Sequence, residues 1–434
     1  MAAEYPDAIV IGAGVIGCSI ALELAKTDRQ VLVLDAGGGA GAGSTSASSA
    51  IIRFHYSTFD AVVTAWEAGH RWSAWREHLG VDDEAGLAQF HRVGCVVLDT
   101  PGSNRAQVLA LFDRIGVPYE AWNSEELERR LPALDAGAYW PPVPVADPAF
   151  ATPAPSRLGA YFTPDAGFVD DPMLAAHNLM VAALAQGATF RFHSEVAAIR
   201  RTGSRVDGVT LTSGEQIGCR ALVNAAGPFS AEVNRRAGAD TDLRIHTRPL
   251  RQEVHVIDAP DRFALDTGGT VVNDSDLGTY FRPQPGGTLI LGGVEPDCDP
   301  LQWVDDPYAF DDRITVDTWE AQVLRVARRL PGAVIPLRPR GVAAMYDASD
   351  DWVPIYDRSA VDGFYLACGT SGNQFKNAPM VGRYLTAIID ASERGVDHDT
   401  TPVTIVGDVT GLTINLAHYS RLREPAATTG NVLG

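Results

Sequence analysis

Lysine is almost absent from this chain: of its 35 cationic side chains only Lys26 and Lys376 are lysine. A codon bias toward arginine accounts for such usage in general, so it points to no function, but it makes a surviving lysine informative. Cysteine is scarce too. The five thiols, Cys18, Cys95, Cys219, Cys298 and Cys368, are odd in number and include no C-x-x-C spacing, so no zinc or disulfide framework can be read from them. No apolar run approaches the roughly 18 residues that cross a bilayer. The opening MAAEYPDAIVIGAG lacks a basic region, a long apolar stretch and a cleavage site. A reducing cytoplasm is the expected compartment, with no membrane partner. Positive charge is short overall, with 35 Lys and Arg against 54 Asp and Glu and a net charge of -19. Such a surface repels phosphates, so nucleic acid is not an expected partner. Any anion site must be locally basic.

What is present suffices for two lobes: 434 residues, 46% hydrophobic and 21% charged. Residues 7–35 read as strand, tight glycine turn, mostly buried helix (Val15, Ile16, Ile20, Leu22, Leu24) and strand. Gly12, Gly14 and Gly17 form G-x-G-x-x-G at that turn. The first allows the tight turn, the second lets backbone approach a pyrophosphate, and the third permits close helix–strand packing. Amides of the helix start, around Val15 and Ile16, would face the phosphates. Asp35, followed by Ala36, ends the second strand 18 residues past Gly17. A carboxylate there accepts hydrogen bonds from ribose hydroxyls and repels a 2'-phosphate, which disfavours NADP. The motif predicts a dinucleotide and does not separate FAD from NAD.

Residues 37–49 are almost all Gly, Ala, Ser and Thr, followed by the apolar-basic stretch 51–56 and a helix through about Leu79. A mixed region, 81–162, ends in a Pro-rich stretch. The pattern then predicts a helix at 173–186 and strands at 189–192, 206–212 and 221–225. Residues 248–294 alternate like an antiparallel sheet. A strand at 364–367, a helix after Pro379 and a C-terminal extension close the chain.

Three later segments resemble the D-amino-acid oxidase-like flavoprotein superfamily, particularly its sarcosine oxidase and dimethylglycine dehydrogenase branch. GAGSTSASSAIIR (41–53) is similar to the family's loop past the pyrophosphate and flavin ring. ALVNAAGPFS (221–230) resembles its second contact on the diphosphate side, and ACGTSGNQFKNAP (367–379) its strand-to-helix return beneath the isoalloxazine. The three occur in the family's order. The implied fold is α/β plus α+β: a Rossmann-type FAD-binding domain and a substrate domain on a mostly antiparallel sheet. The expected division gives 1–80, 156–240 and 335–400 to the first, 81–155 and 241–334 to the second, and 401–434 to an extension. The resemblance implies FAD contacts at Ser44, Thr45, Ser46, Ser49 and Ala50, at Val196 near the adenine, and at Ala225, Ala226 and Gly227. It implies further contacts at Gly341 and at Gly369, Gly372, Asn373, Gln374, Phe375 and Lys376. A helix start aimed at the flavin would also stabilise the charge of its reduced form.

By the same resemblance the chain removes a hydride from the CH–N bond of an amino acid or N-alkyl amino acid, giving an imine. Arg53 and Lys376 match the positions that clamp the substrate carboxylate, a geometry suited to an arginine fork plus an ammonium. Arg53 could instead serve a surface ion pair or a flavin phosphate, and Lys376 a solvated helix start. Tyr280 matches the family's active-site tyrosine, or packs on the sheet; Arg282 could join it or face solvent. His55 shares Arg53's face if the segment is extended, with Phe54 and Tyr56 pointing away; a lone histidine is more often structural.

Departures from the family matter. Ala344 stands where a flavin-linking cysteine occurs and Ala47 where a linking histidine occurs, so FAD is expected to be non-covalent. Leu291 replaces the lysine that activates oxygen, which leaves the electron acceptor open, and Glu295 replaces an active-site histidine. Alternatives are a 2-hydroxy acid dehydrogenase using the same clamp, a flavin-bearing subunit that needs a partner, and a degenerate FAD-binding protein.

Overall fold

Strand β1 (Ala8–Ile11) is wholly buried and feeds helix α1 (Val15–Ala25), whose third residue is the last motif glycine. The computed structural model describes residues 5–101 and 103–433. Residues 1–4, on which part of the expectation of no leader rests, lie outside them, as do residues 102 and 434. Strand β2 (Val31–Leu34) pairs parallel with β1 in register Ala8↔Val31. These two sit inside a six-stranded sheet ordered Ile355–Arg358, Phe364–Cys368, Ala221–Asn224, β1, β2, Thr189–Arg191. All its neighbours are parallel except the outermost pair, Ile355–Arg358 on Phe364–Cys368. Buried on both faces, β1, β2 and Phe364–Cys368 are continuous apolar runs rather than alternating ones, whereas the edge strand Thr189–Arg191 is partly exposed.

Helix α1 is covered by Pro172–Ala185 and Ala378–Glu393. The second contact is intimate: Ser19 Oγ donates to Ala378 O at 2.5 Å, and a Cβ on Gly382 would lie 2.3 Å from Ser19 O.

The second sheet has nine strands, built on Thr247–Asp258, which pairs antiparallel with Thr288–Gly293 and with Gly341–Ser349. Thr279–Gln284 continues it beside Thr288–Gly293. The antiparallel expectation for 248–294 is met. Ala160–Thr163 and Gly341–Ser349, in segments assigned from sequence to the FAD-binding part, pair into this sheet.

Two local expectations are corrected. The helix expected through Leu79 breaks at Ala74 (φ -117, ψ 46) into Phe59–Ser73 and Trp75–Leu79. The strand expected to carry Arg53 and His55 on one face ends at Ile52. No helix among the described residues is long and apolar enough to cross a membrane.

Candidate active site

A parallel sheet brings the ends of its strands to one edge, and the crevice beyond the carboxyl ends is where such sheets bind ligands. Here that edge collects the turn after β1, Asp35 after β2, residues 225–227 after Ala221–Asn224 and residues 369–372 after Phe364–Cys368. Gly12 has φ +105, and a Cβ on it would lie 2.3 Å from Ala225 O; one on Gly17 would lie 1.9 Å from Gly12 O. Gly14 is the N-cap of α1 and offers no side chain to its amides. Asp35 accepts from Ala13 N and Gly37 N, each at 2.6 Å, so its carboxylate is fixed beside the glycine turn and partly open to solvent. Ser194 N donates to the Asp35 carbonyl, which ties the strand carrying Val196 to this end of the edge. The Val196 carbonyl already accepts from Arg236 at 2.6 Å.

The small-residue loop bridges the two sheets. Thr45 Oγ1 accepts from Val15 N at 3.1 Å, capping α1, and Ser44 Oγ donates to Met345 O at 2.8 Å. Ser46 stays within the loop, on Gly43 O. Ser49 is held twice: its hydroxyl meets the Tyr280 hydroxyl at 2.6 Å, and its carbonyl accepts from Arg282 Nε at 2.7 Å. Ala50 follows with φ 49. Arg282 is 1% exposed, not a solvent-facing residue, and burial lowers its pKa to about 10. Burial likewise raises the Tyr280 hydroxyl to about 12. Gly341 makes its close approach to the strand beside it, where a Cβ would lie 2.4 Å from Val254 O.

Arg53, Lys376 and His55 are all buried. The strand ends at Ile52, and Tyr56 does not point away from Arg53. Arg53 lies over its ring at 4.8 Å, and Lys376 Nζ donates to its hydroxyl at 3.1 Å. Arg53 otherwise donates to the carbonyls of His55 and Val432, and Lys376 to Asn373 O at 2.6 Å. Other fully buried cations are neutralised: Arg329 by Asp274 and Asp276, Arg421 by Asp357 and Asp399. Among the described residues no carboxylate pairs with Arg53, Lys376 or Arg282. Burial, then the Arg53 charge, holds Lys376 well below the usual lysine range. Two buried basic side chains share one tyrosine, with no carboxylate beside them among the described residues.

Burial holds His55 neutral as well. Asn273 Nδ2 donates to its Nε2 at 3.2 Å, which leaves the proton on Nδ1, an atom without a partner among the described residues. The return 369–376 is built for close packing. Gly369, Ser371 and Gly372 have positive φ, and a Cβ on Gly372 would lie 2.2 Å from the Tyr346 ring. Asn373 and Gln374 are spent holding it together, Gln374 accepting from Tyr356 and Asn377. Phe375 stacks on Trp72. Asp347 anchors the turn by accepting from Gly369 N at 2.6 Å, and burial raises its carboxyl to about 7.

Tyr346 and Val432 are unmarked in the sequence and Glu295 is marked only as the residue standing where the family has an active-site histidine, yet all three join the group. Tyr346 packs with Tyr280 and Val432, and Glu295 Oε2 accepts from Val432 N at 2.9 Å. No local signal marks Val432, which lies 379 residues from Arg53.

Two predictions follow from the buried charges. Lys376→Met is expected to raise the melting temperature of the ligand-free protein by a few degrees, because removing an unpaired buried ammonium is worth on the order of 1–4 kcal/mol; calorimetry checks it. For Asp347, raised from 3.8 to about 7, the stabilising protonated form is fully present below pH 3.8 and lost as pH rises through about 7. Asp347→Asn should therefore gain stability over the native protein across that window, by up to about 1.4 kcal/mol per pH unit. A flat difference in melting temperature between pH 4 and 8 refutes it.

A Rossmann edge bearing a glycine turn, a fixed ribose-type acid and a loop crossing to an antiparallel sheet defines an FAD-dependent oxidoreductase. The chain belongs to the FAD dependent oxidoreductase (DAO) family, whose model matches residues 7–388. It is 24% identical to the glycine oxidase of Geobacillus kaustophilus over 398 residues, covering 90% of this chain and 94% of that protein. Its fold is that of L-proline dehydrogenase from P. horikoshii (TM-score 0.76, 21% identity, 97% of this chain and 98% of that one). It is also that of iminodiacetate oxidase from Chelativorans sp. BNC1 (TM-score 0.66, 19% identity, 90% and 96%). The residues fit FAD: the tight turn that Gly12 makes against Ala225 at φ +105, the helix start at Gly14 that carries no side chain and the fixed carboxylate of Asp35 are the elements a dinucleotide needs.

Proposed function

We propose that this protein oxidises the CH–N bond of an amino acid or N-alkyl amino acid to an imine, with non-covalent FAD. The observation that carries this reading is the buried Arg53–Lys376 pair, beside which no carboxylate stands among the described residues. Two desolvated cations on one tyrosine are expensive to maintain, and a substrate carboxylate would neutralise them. Glycine oxidase, L-proline dehydrogenase and iminodiacetate oxidase are relatives or fold neighbours named for substrates that join a carboxylate to a primary or secondary amine nitrogen.

Bound FAD supplies the hydride acceptor. This chain's residues supply placement: Arg53 and Lys376 hold the carboxylate, and Tyr280 and Arg282 hold the Ser49 loop. Neutral His55 offers a buried N–H donor at Nδ1. Gly12, Gly14, Gly17, Asp35, Thr45 and residues 225–227 form the proposed dinucleotide contacts. Ala47 and Ala344 present only methyl groups where a covalent link would need a nucleophile.

The test is anaerobic mixing with a panel of amino acids, N-methyl amino acids and 2-hydroxy acids, followed by the 450 nm flavin band. Bleaching by amines and not by hydroxy acids is expected; the reverse establishes the hydroxy-acid alternative. Acid precipitation should release the flavin into the supernatant, and flavin that stays with the polypeptide refutes non-covalent binding.

A further inference from the structure

One residue of this chain already sits among the proposed substrate-binding groups, and its bonds have the polarity of an amino acid's. Val432 is 8% exposed. Its N–H donates to Glu295 Oε2 at 2.9 Å and its carbonyl accepts from Arg53 at 2.7 Å. It belongs to one buried apolar cluster with Leu250, Tyr280, Val294, Ala348 and Trp352. Nitrogen, Cα and carbonyl carbon in that order are the skeleton of any α-amino acid, here with the oxygen on a cation and the nitrogen on a carboxylate. We propose that Val432 occupies the amino-acid subsite, that Glu295 is the specificity-determining acceptor for the substrate nitrogen, and that the apolar pocket selects a compact aliphatic side chain. This deepens the amino-acid reading above and rests on it.

Three further observations agree. Glu295 Oε1 is enclosed with no hydrogen-bond partner of good geometry among the described residues, and burial, opposed only by the Val432 N–H and the Gln252 side chain, pushes the carboxyl up to about 8, so an ammonium placed there would supply both a second N–H and the charge that keeps the carboxylate ionised. Glu295 is held at φ 49, a backbone conformation that side chains rarely adopt and that persists where the surroundings enforce it. The segment that delivers Val432 is anchored upstream of Thr429. Arg423 pairs with Asp351, and Ala426 N and Thr428 Oγ1 bond to the same aspartate. Substrate entry then requires displacement of residues beyond Thr428, which places an internal competitor in the site.

The experiment titrates the FAD-loaded protein with L-valine and with 3-methylbutanoate, the same skeleton without nitrogen, reading perturbation of the flavin spectrum under anaerobic conditions. The native protein should prefer valine. Glu295→Gln should weaken valine at least tenfold while leaving 3-methylbutanoate within twofold, which also shows that the variant is folded. A chain ending at Thr428 should bind both at least tenfold more tightly. Equal losses for the two ligands in Glu295→Gln, or unchanged affinity after truncation, overturn the proposal. Flavin reduction is scored separately. Valine binding with this pattern, in a protein that no amine reduces, would sink the CH–N reading and leave the subsite standing; reduction by amines with an affinity indifferent to Glu295 and to truncation would do the opposite.

Discussion

Gly12→Ala is expected to purify without yellow colour and to bind added FAD at least a hundredfold more weakly than the native protein. Two independent features of the position force this. Its φ of +105 lies where an L side chain is strained, and the added methyl would lie 2.3 Å from Ala225 O, inside any tolerable contact. Ala225 cannot retreat cheaply, because its N–H is bonded to Ile11 O and it ends a strand paired with both β1 and Phe364–Cys368. The β1–α1 turn must shift instead, and with it the helix start that would face the pyrophosphate. Gly39→Ala is the control, since a Cβ there meets nothing within 4 Å. The A450/A280 ratio and an FAD titration by fluorescence quenching measure the effect, with circular dichroism to show that both variants are folded. An unimpaired Gly12→Ala would remove the assignment of this turn to the cofactor.

Arg53→Met carries the second large effect. A carboxylate held by Arg53 and Lys376 in a dry site loses a charge-assisted partner and leaves its own charge under-compensated, a loss of about 2–5 kcal/mol. Apparent affinity for amino acid substrates should fall on the order of thirtyfold to several thousandfold, by 1.4 kcal/mol per decade. Amines without a carboxylate gain nothing from the arginine and should be affected far less. The two substrate classes therefore provide the discriminating comparison, read as kcat/KM or as rates of flavin reduction. Parallel losses for both would mean that Arg53 organises the site through its bonds to the His55 and Val432 carbonyls rather than by binding substrate. Unchanged affinity for amino acids would remove the carboxylate clamp altogether.

Much of this was legible in the residues alone because it rests on short-range chemistry. The strand–turn–helix of residues 8–25 depends on apolar runs, three glycines and one helix start, and the structure reproduces it within a residue. The alternation in 248–294 similarly announced an antiparallel sheet. The prediction failed where a local pattern was extended too far. A face shared by Arg53 and His55 depends on an extended segment; the strand stops at Ile52, and Tyr56 contacts both Arg53 and Lys376 instead of pointing away.

The lysine that stands out in so arginine-rich a sequence lies buried beside Arg53 and Tyr56; its burial, and the lack of a carboxylate beside it among the described residues, were invisible because both depend on what other segments bring near it. Arg282 illustrates the same limit. Its residue type left open the site or the solvent, and packing against Phe168, together with the Ser49 carbonyl, decided the matter.

The sequence by itself determined the dinucleotide edge, the family and the identity of the cations, since each is carried by contiguous motifs whose chemistry is local. Only the tertiary structure decided that no carboxylate stands beside the cations among the described residues, that Glu295 turns an enclosed oxygen inward, and that Val432 lies between Glu295 and Arg53. Those facts are sums over contacts between segments hundreds of residues apart. Burial and charge balance belong to the assembled fold, and no window of sequence contains them.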